Sequence, residues 1–350
     1  MNHQYEYYMQ KVLNLAIKAK GQTSPNPMVG AIILNENGEF ISDGYHLKAG
    51  SEHAEIIALK KAGSLAKNGI LYVNLEPCCH YGRTPPCTSA IKEAGIKKVI
   101  IGSLDPNTKV NGQGVKDLKE AGLEVVFGVL EKECLELNKF FFYWLENQKP
   151  WLTLKIAATL NGKIDLGKAG KQITGKAVQE KVHQLRAEHD SILTGSGTIL
   201  ADNPQLNVRF GHNYKNPLKI ILDRRLRCEP ELKVFNEEAL TLLFTSPESL
   251  KTNKRQFLNT EIIDWNGELN ELLKTLAKKN ILSVLMEAGS NLNTAFLEEN
   301  LVQEIIYFIN PRLAPSSLGL PEVYIGNNIQ NFKLKSSELI GSDLMLNLDF

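Results

Sequence analysis

His53-Ala54-Glu55 and the run Leu75-Glu76-Pro77-Cys78-Cys79-His80-Tyr81-Gly82-Arg83-Thr84-Pro85-Pro86-Cys87 bring together the residue types that hold a metal ion. One imidazole and two thiolates satisfy three corners of a tetrahedral zinc site and leave the fourth to water, the arrangement of a catalytic site. Zinc lowers the pKa of such a water to about 7, which makes hydroxide available at neutral pH. Glu55, two residues past His53, can take a proton from that water and deliver protons to a ring nitrogen and a departing amine. The chemistry predicted is hydrolytic release of ammonia. Cys78 and Cys87 are the expected thiol ligands, because adjacent side chains at the start of a helix or loop diverge; Cys79 is the rival. A closed structural knot with His80 as fourth ligand is the competing reading, and it gives Glu55 no task.

A second set of candidates lies at residues 155–163, 192–209 and 285–295. Each segment joins an expected strand end to a loop of small residues, where backbone amides can approach a phosphate or sugar. Ligands bind at such places in open α/β sheets. No Gly-x-Gly-x-x-Gly follows a strand in 151–350, so the ordinary dinucleotide fingerprint is absent. Read as residues alone, Gly195-Ser196-Gly197 is a strand-to-helix turn and Glu287 a strand-end carboxylate.

The elements that must position these groups follow from periodicity. Val12, Leu13, Ala16 and Ile17 recur at helical spacing, predicting a helix over 5–20 that Gly21 and Pro25-Asn26-Pro27 end. Strands over 28–34 and 39–45 flank Asn37-Gly38, which suits a tight hairpin turn. Helices are predicted at 53–62, 88–94, 115–121 and 131–145, and strands at 70–75, 98–101 and 123–127, which makes a three-layer α/β sandwich. The polar stretch Glu146-Asn147-Gln148-Lys149-Pro150 marks a boundary, dividing the chain into domains 1–147 and 148–350. Beyond it, strands at 151–157, 191–194, 218–222, 240–244, 281–286 and 304–309 alternate with helices at 176–188, 268–278 and 291–300. That pattern predicts a second α/β domain with a mostly parallel sheet.

With 350 residues, 43% hydrophobic and 23% charged, the chain can bury two ordinary cores. No apolar run approaches the roughly 20 residues of a bilayer span, and the start is not signal-like, so no membrane is expected and the cytoplasm is. A net charge of +1 without a basic stripe argues against nucleic acid and for a small-molecule partner. Three of the five cysteines crowd between Cys78 and Cys87, which suggests metal rather than disulfides.

The histidine–glutamate pair with a proline–cysteine motif is the signature of zinc nucleobase deaminases, although two residues separate the cysteines there and a longer loop does here. Together with Pro25-Asn26-Pro27 and Gly44-Tyr45-His46, the long cysteine-spanning motif closely resembles the bifunctional riboflavin biosynthesis proteins of bacteria. So do Lys155-Ile156-Ala157-Ala158-Thr159-Leu160-Asn161-Gly162-Lys163, the run from Ile192 to Arg209 and Glu287-Ala288-Gly289. The resemblance spans nearly the whole chain. It implies a cytidine-deaminase-like first domain and a second resembling dihydrofolate reductase. It implies zinc, NADPH and a diamino-pyrimidinone carrying a phosphoribosylamino group, deaminated first and then reduced from ribosyl to ribityl. A homo-oligomer, dimer or tetramer, is also expected.

On this resemblance Ala157, Gln172, Thr198, Asp202 and Gly289-Ser290-Asn291-Leu292-Asn293-Thr294-Ala295 hold NADPH, while Gly170, Arg186, Leu206, Arg209 and Glu287 hold the ribotide. Asn26 would bond the pyrimidine edge, and His46, His80 and Arg83 would face the sugar phosphate; a plain turn asparagine and a satisfied histidine are the alternatives. Lys155 is a candidate general acid. Asn161 stands where the family commonly has aspartate and Gln172 where it has an aromatic residue, which bears on cofactor affinity. Two rivals are a nucleic-acid-editing deaminase with an unrelated C-terminal domain and a zinc-stabilised binding module.

Overall fold

The computed structural model describes residues 3–80, 85–106, 111–167, 172–209, 215–236, 238–315 and 319–350. The chain divides into two compact units, Met1–Gln148 and Lys149–Phe350.

The first unit opens on α1 (His3–Ala16), which buries Met9, Val12, Leu13 and Ala16 along one face. A hairpin of β1 (Gly30–Leu34) and β2 (Phe40–Tyr45) follows. Its turn is held by the Asn35 side chain, which accepts from the backbone of Asn37 and Glu39, and by Gly38 at φ 81°. Then come α2 (Ala54–Ala62), β3 (Ile70–Leu75), α3 (Cys87–Glu93), β4 (Lys98–Ser103), α4 (Gln113–Glu120), β5 (Glu124–Phe127), α5 (Glu131–Leu137) and α6 (Lys139–Asn147). The strands lie in the order β2-β1-β3-β4-β5, antiparallel at β1 and parallel from β3 onward. Side chains alternate across a strand, so β1 sends Ala31 and Ile33 under α2, α3 and α4, and Ile32 and Leu34 under α1 and α5. The result is the three-layer sandwich expected.

The single helix expected over 131–145 is two helices. Asn138 interrupts them at φ −107°, and its side chain reaches the segment before β1: Oδ1 accepts from Met28 N at 2.7 Å and Nδ2 donates to Met28 O at 2.9 Å. Tertiary hydrogen bonding overrides the local helical pattern there.

The second unit contains β6 (Trp151–Thr159), α7 (Lys176–Glu188), β7 (Ser191–Gly195), α8 (Ser196–Asp202), β8 (Leu218–Leu222), β9 (Thr241–Thr245), α9 (Pro247–Thr252), β10 (Thr260–Asp264), α10 (Leu269–Lys278), β11 (Ser283–Met286), α11 (Ser290–Glu298), β12 (Glu304–Asn310), β13 (Lys333–Ile340) and β14 (Asp343–Asp349). Its nine strands run β10-β9-β8-β7-β11-β6-β12-β14-β13, parallel from β10 to β12 and antiparallel at the last two junctions. Helix α10 buries Leu269, Leu272, Leu273 and Leu276 with α11 against one face, at roughly 1.5 to 3 kcal/mol per leucine. Helices α7 and α8 cover the other.

Helices α8 and α9, strand β10 and the closing β13–β14 hairpin fall outside the expected set. Strand β13 is exposed along almost its whole length, so it carries no buried face for periodicity to reveal.

Candidate active sites

In the first unit, strand β3 and the starts of two helices converge. His53 precedes α2, Cys87 is the first residue of α3, and Cys78 lies in the loop after β3. Their donor atoms lie within 4.8 Å of one another, the one group of its kind among the described residues. His53 Nδ1 is 3.2 Å from Cys87 Sγ and 3.7 Å from Cys78 Sγ, and Cys87 N donates to Cys78 Sγ at 3.4 Å. Bonding to Cys87 and then His53 holds the Cys78 thiol down to about 4, while the bond with Cys78 raises His53. Three donors with one acidic thiol fit zinc with an open fourth position. Cys79 lies outside the cluster, and so does His80, which is exposed; neither closes the coordination.

Glu55 sits in the first turn of α2, 3% exposed, and burial lifts its carboxyl above the usual range. The helix that carries it is pressed onto β2. A carbon added to Gly44 would come within 2.5 Å of the Ala54 carbonyl oxygen, so only glycine permits this approach.

His46, expected to face the sugar phosphate, has both ring nitrogens bonded within the protein. It is 2% exposed, with Nδ1 bonded to the Glu52 carbonyl at 3.0 Å and Nε2 to Asn26 Nδ2 at 3.0 Å. A carbonyl only accepts, so Nδ1 carries the proton and Nε2 accepts from the Asn26 amide. That bond engages the Asn26 amide nitrogen and not its Oδ1. The segment after Asn26 is clamped by Asn138 and by Asn74, whose Oδ1 accepts from Gly30 N and whose Nδ2 donates to Met28 O. Arg83 lies outside the described residues, as does Gly170 in the second unit.

The second unit holds a cavity of about 1490 Å³ at the strand ends, more than one small ligand requires. Ala157, Gln172, Thr198, Asp202 and the first turn of α11 from Gly289 to Asn293 line it, with Arg186, Leu206, Arg209 and Glu287. Thr294 and Ala295 lie behind it: Thr294 Oγ1 accepts from the N–H of Ile325, which lines the cavity, and Ala295 packs on the core. Asn293 is 1% exposed and its buried Oδ1 has no hydrogen-bond partner among the described residues, an orphaned acceptor behind the cavity wall.

Glu287 is buried between two cations. Arg186 Nε meets its Oε1 at 2.6 Å, Arg186 Nη2 its Oε2 at 3.1 Å, and Lys155 Nζ its Oε2 at 3.3 Å. Burial alone would raise its pKa; Arg186 and then Lys155 hold it down to about 2. Asn161 does not line the cavity. It fastens the turn after β6, its Nδ2 donating to Ala314 O and its Oδ1 accepting from Ala314 N, a donor that aspartate would lack.

The family described as cytidine and deoxycytidylate deaminase zinc-binding region matches residues 2–103, and the RibD C-terminal domain matches residues 150–346. The riboflavin biosynthesis protein RibD of Aquifex aeolicus is 42% identical over 97% of this chain and 96% of its own. This chain belongs to the RibD family. It is a bifunctional enzyme of riboflavin biosynthesis, a zinc-binding deaminase followed by a reductase. The Acinetobacter baumannii RibD structure superposes with a TM-score of 0.90 at 36% identity, covering 99% of both chains. A Thermotoga maritima structure, titled a diaminohydroxyphosphoribosylaminopyrimidine deaminase and 5-amino-6-(5-phosphoribosylamino)uracil reductase, does so with 0.90 at 34% identity and 99% of both. Such full-length likeness does not favour the editing deaminase. Among the described residues no helix is long and apolar enough to cross a membrane.

Sequence reasoning missed several parts of these RibD sites. Glu76 is one: it accepts from the backbone of Asp105, Gly112 and Val115, so this carboxylate of the cysteine motif holds the loop after β4. Asn74 and Asn138 are others, with no signal beyond being polar inside apolar runs. His183 and Arg227 line the reductase cavity from positions that no motif marks.

Proposed function

We propose that the first unit deaminates the diamino-pyrimidinone ribotide and that the second reduces the ribosyl chain of the product with NADPH. The carrying observation is the convergence of His53, Cys78 and Cys87 within 4.8 Å, beside a buried Glu55. His53, Cys78 and Cys87 hold zinc, which supplies Lewis acidity toward water. Glu55 takes the proton of the attacking water and returns protons to the ring nitrogen and the departing amine, so that water enters and ammonia leaves. Its raised pKa suits a group that both gives and takes. Asn26 Oδ1, aimed by His46, accepts from the pyrimidine edge. His80, exposed beside the motif, and Arg83 meet the sugar phosphate.

In the second unit Ala157, Gln172, Thr198, Asp202 and residues 289–293 cradle the dinucleotide, and Arg186, Leu206, Arg209 and Glu287 receive the ribotide. NADPH supplies the hydride to C1 of the ring-opened ribose. Lys155, held 3.3 Å from Glu287, is positioned to give the proton that balances it. No nucleic acid takes part, consistent with the +1 charge. The chain works in the cytoplasm, where its five free cysteines stay reduced. It works as a homo-oligomer, dimer or tetramer, which the exposed Leu334 and Leu339 of the closing hairpin support.

The test is to incubate the zinc-loaded protein with the diamino-pyrimidinone ribotide, with and without NADPH, and to weigh the products. Ammonia without NADPH, and a further gain of two hydrogens only with it, are expected. Unchanged substrate in both arms rejects the reading.

A further inference from the structure

The reductase cavity takes Leu206 and Arg209 from a stretch that belongs to no helix or strand, part of the connection between α8 and β8. Leu206 is 4% exposed and sits at φ 53°, a left-handed conformation that a side chain of this bulk adopts only where its surroundings impose it. The three residues after it are each fixed by a side chain. Arg186 Nη1 donates to Asn207 O at 3.2 Å, Val208 N donates to Asn216 Oδ1 at 2.9 Å, and Arg209 N donates to His183 Nδ1 at 3.2 Å.

His183 and Arg186 stand three residues apart on α7, so they share the face that borders the cavity. Arg186 divides itself between Glu287 and Asn207. His183, 5% exposed, carries the other end of the clamp. Its Nδ1 accepts, so the ring is the neutral tautomer with its proton on Nε2; an imidazolium has no acceptor to offer the Arg209 N–H. Burial favours that neutral form by lowering the His183 pKa from 6.5. The guanidinium groups of Arg186 and Arg209 act in the same direction, and Glu287 and a bond with the Asn207 backbone oppose them. Lys155 on β6 meets the same cluster through Glu287.

We propose that His183 is a positioning residue of the reductase: by holding the Arg209 N–H it sets the backbone that presents Leu206 and Arg209 to the ribotide, and it does so only while its imidazole is neutral. This rests on the reading that these two residues receive the ribotide. His183 needs no contact with substrate or cofactor for this role. Its loss displaces the Arg209 guanidinium without removing it. The dinucleotide wall at residues 289–293 belongs to the start of α11 and stays in place.

The experiment measures KM and kcat of the zinc-loaded full-length chain for the already deaminated ribotide at saturating NADPH, from about pH 5.5 to about pH 8, the range that spans imidazole titration. NADPH affinity is titrated separately. The chains are wild type, His183→Leu and His183→Asn. Asparagine bears Oδ1 on Cγ, where histidine bears Nδ1, so it keeps an acceptor there and cannot take up a proton. At the alkaline end His183→Leu should raise KM about three- to tenfold, the range of one net hydrogen bond, with kcat and NADPH affinity near wild type. His183→Asn should recover most of that loss. As pH falls below the ordinary imidazole value, KM should rise more in wild type than in His183→Asn, because only the histidine loses its acceptor. Titration of the substrate phosphate is common to both and cancels in their ratio. An unchanged KM in His183→Leu, an equal loss of NADPH affinity, an asparagine variant as impaired as the leucine one, or a ratio flat with pH overturns the proposal. If the leucine variant does not fold, the wild-type to asparagine ratio against pH decides alone. A wild type that does not reduce the ribotide at all overturns the ribotide reading itself, a different failure.

Discussion

The two sites of this chain are built in opposite ways. In the deaminase unit the reactive groups are drawn tightly together: His53, Cys78 and Cys87 lie within 4.8 Å, anchored to helix starts and a strand end. In the reductase unit the charged groups pair along the wall of a wide cavity, Glu287 taking Arg186 and Lys155, while Arg209 and Arg227 line it from other elements. A compact metal site tolerates no missing member. A distributed cavity loses function in portions, contact by contact.

Replacing a metal ligand tests the first half of that contrast most severely. Cys87→Ser should abolish both zinc binding and ammonia release, whereas Cys79→Ser, altering a thiol outside the cluster, should leave both near wild type. Zinc content by elemental analysis, read beside ammonia release, decides. Reduction of already deaminated substrate should continue in both variants; if it stops with Cys87→Ser, the two units are not independent.

Glu55→Gln keeps the shape and the zinc ligands but removes the proton carrier, so deamination should fall by about a hundred- to ten-thousandfold with zinc content unchanged. Near-normal ammonia release would remove Glu55 from the mechanism.

Legibility in the sequence follows the same division. His53, Glu55, Cys78 and Cys87 could be read because a metal site needs particular residue types and short motifs supply them. The strands around them could be read because β1 and β3 are short, mostly apolar runs buried along nearly their whole length, and α10 of the second unit because its leucines recur on one face. What escaped reading depends on distant partners. The break at Asn138 exists for Met28, far away in sequence; His46 turns inward because Glu52 and Asn26 occupy both its nitrogens; Arg227 is aimed by Asp223 and Ser196. The exposed hairpin β13–β14 has little periodic burial for a pattern to register.

In the reductase unit, Glu287→Gln should destabilise without touching the zinc site. It leaves Arg186 and Lys155 as buried cations lacking their anion, a loss of about 3 to 5 kcal/mol. The wild-type carboxyl is held at about 2 against an ordinary 4.5, so its contribution is complete above pH 4.5 and disappears as pH falls toward 2. Urea unfolding of the second unit across that window should therefore show a slope in wild type that the glutamine variant lacks. Identical pH profiles would mean that Glu287 is not ionised in the folded state.

The smallest expected effect is at Arg209, and it asks whether the cavity does lose function in portions. Arg209 is exposed, held by Gln205 through Nη1 at 2.8 Å and by His183 through its backbone, so its removal leaves no buried charge unpaired and should not unfold the unit. A guanidinium contact with the 5′-phosphate of the ribotide contributes about 1.5 to 3 kcal/mol, so Arg209→Ala should weaken substrate use by roughly tenfold or more while NADPH affinity stays put. The decisive control is the dephosphorylated substrate. If Arg209 grips the phosphate, the variant and wild type should use that substrate almost equally, because the contact is already gone from both. An equal penalty on both substrates would move Arg209 off the phosphate, and a penalty on NADPH would place it on the cofactor.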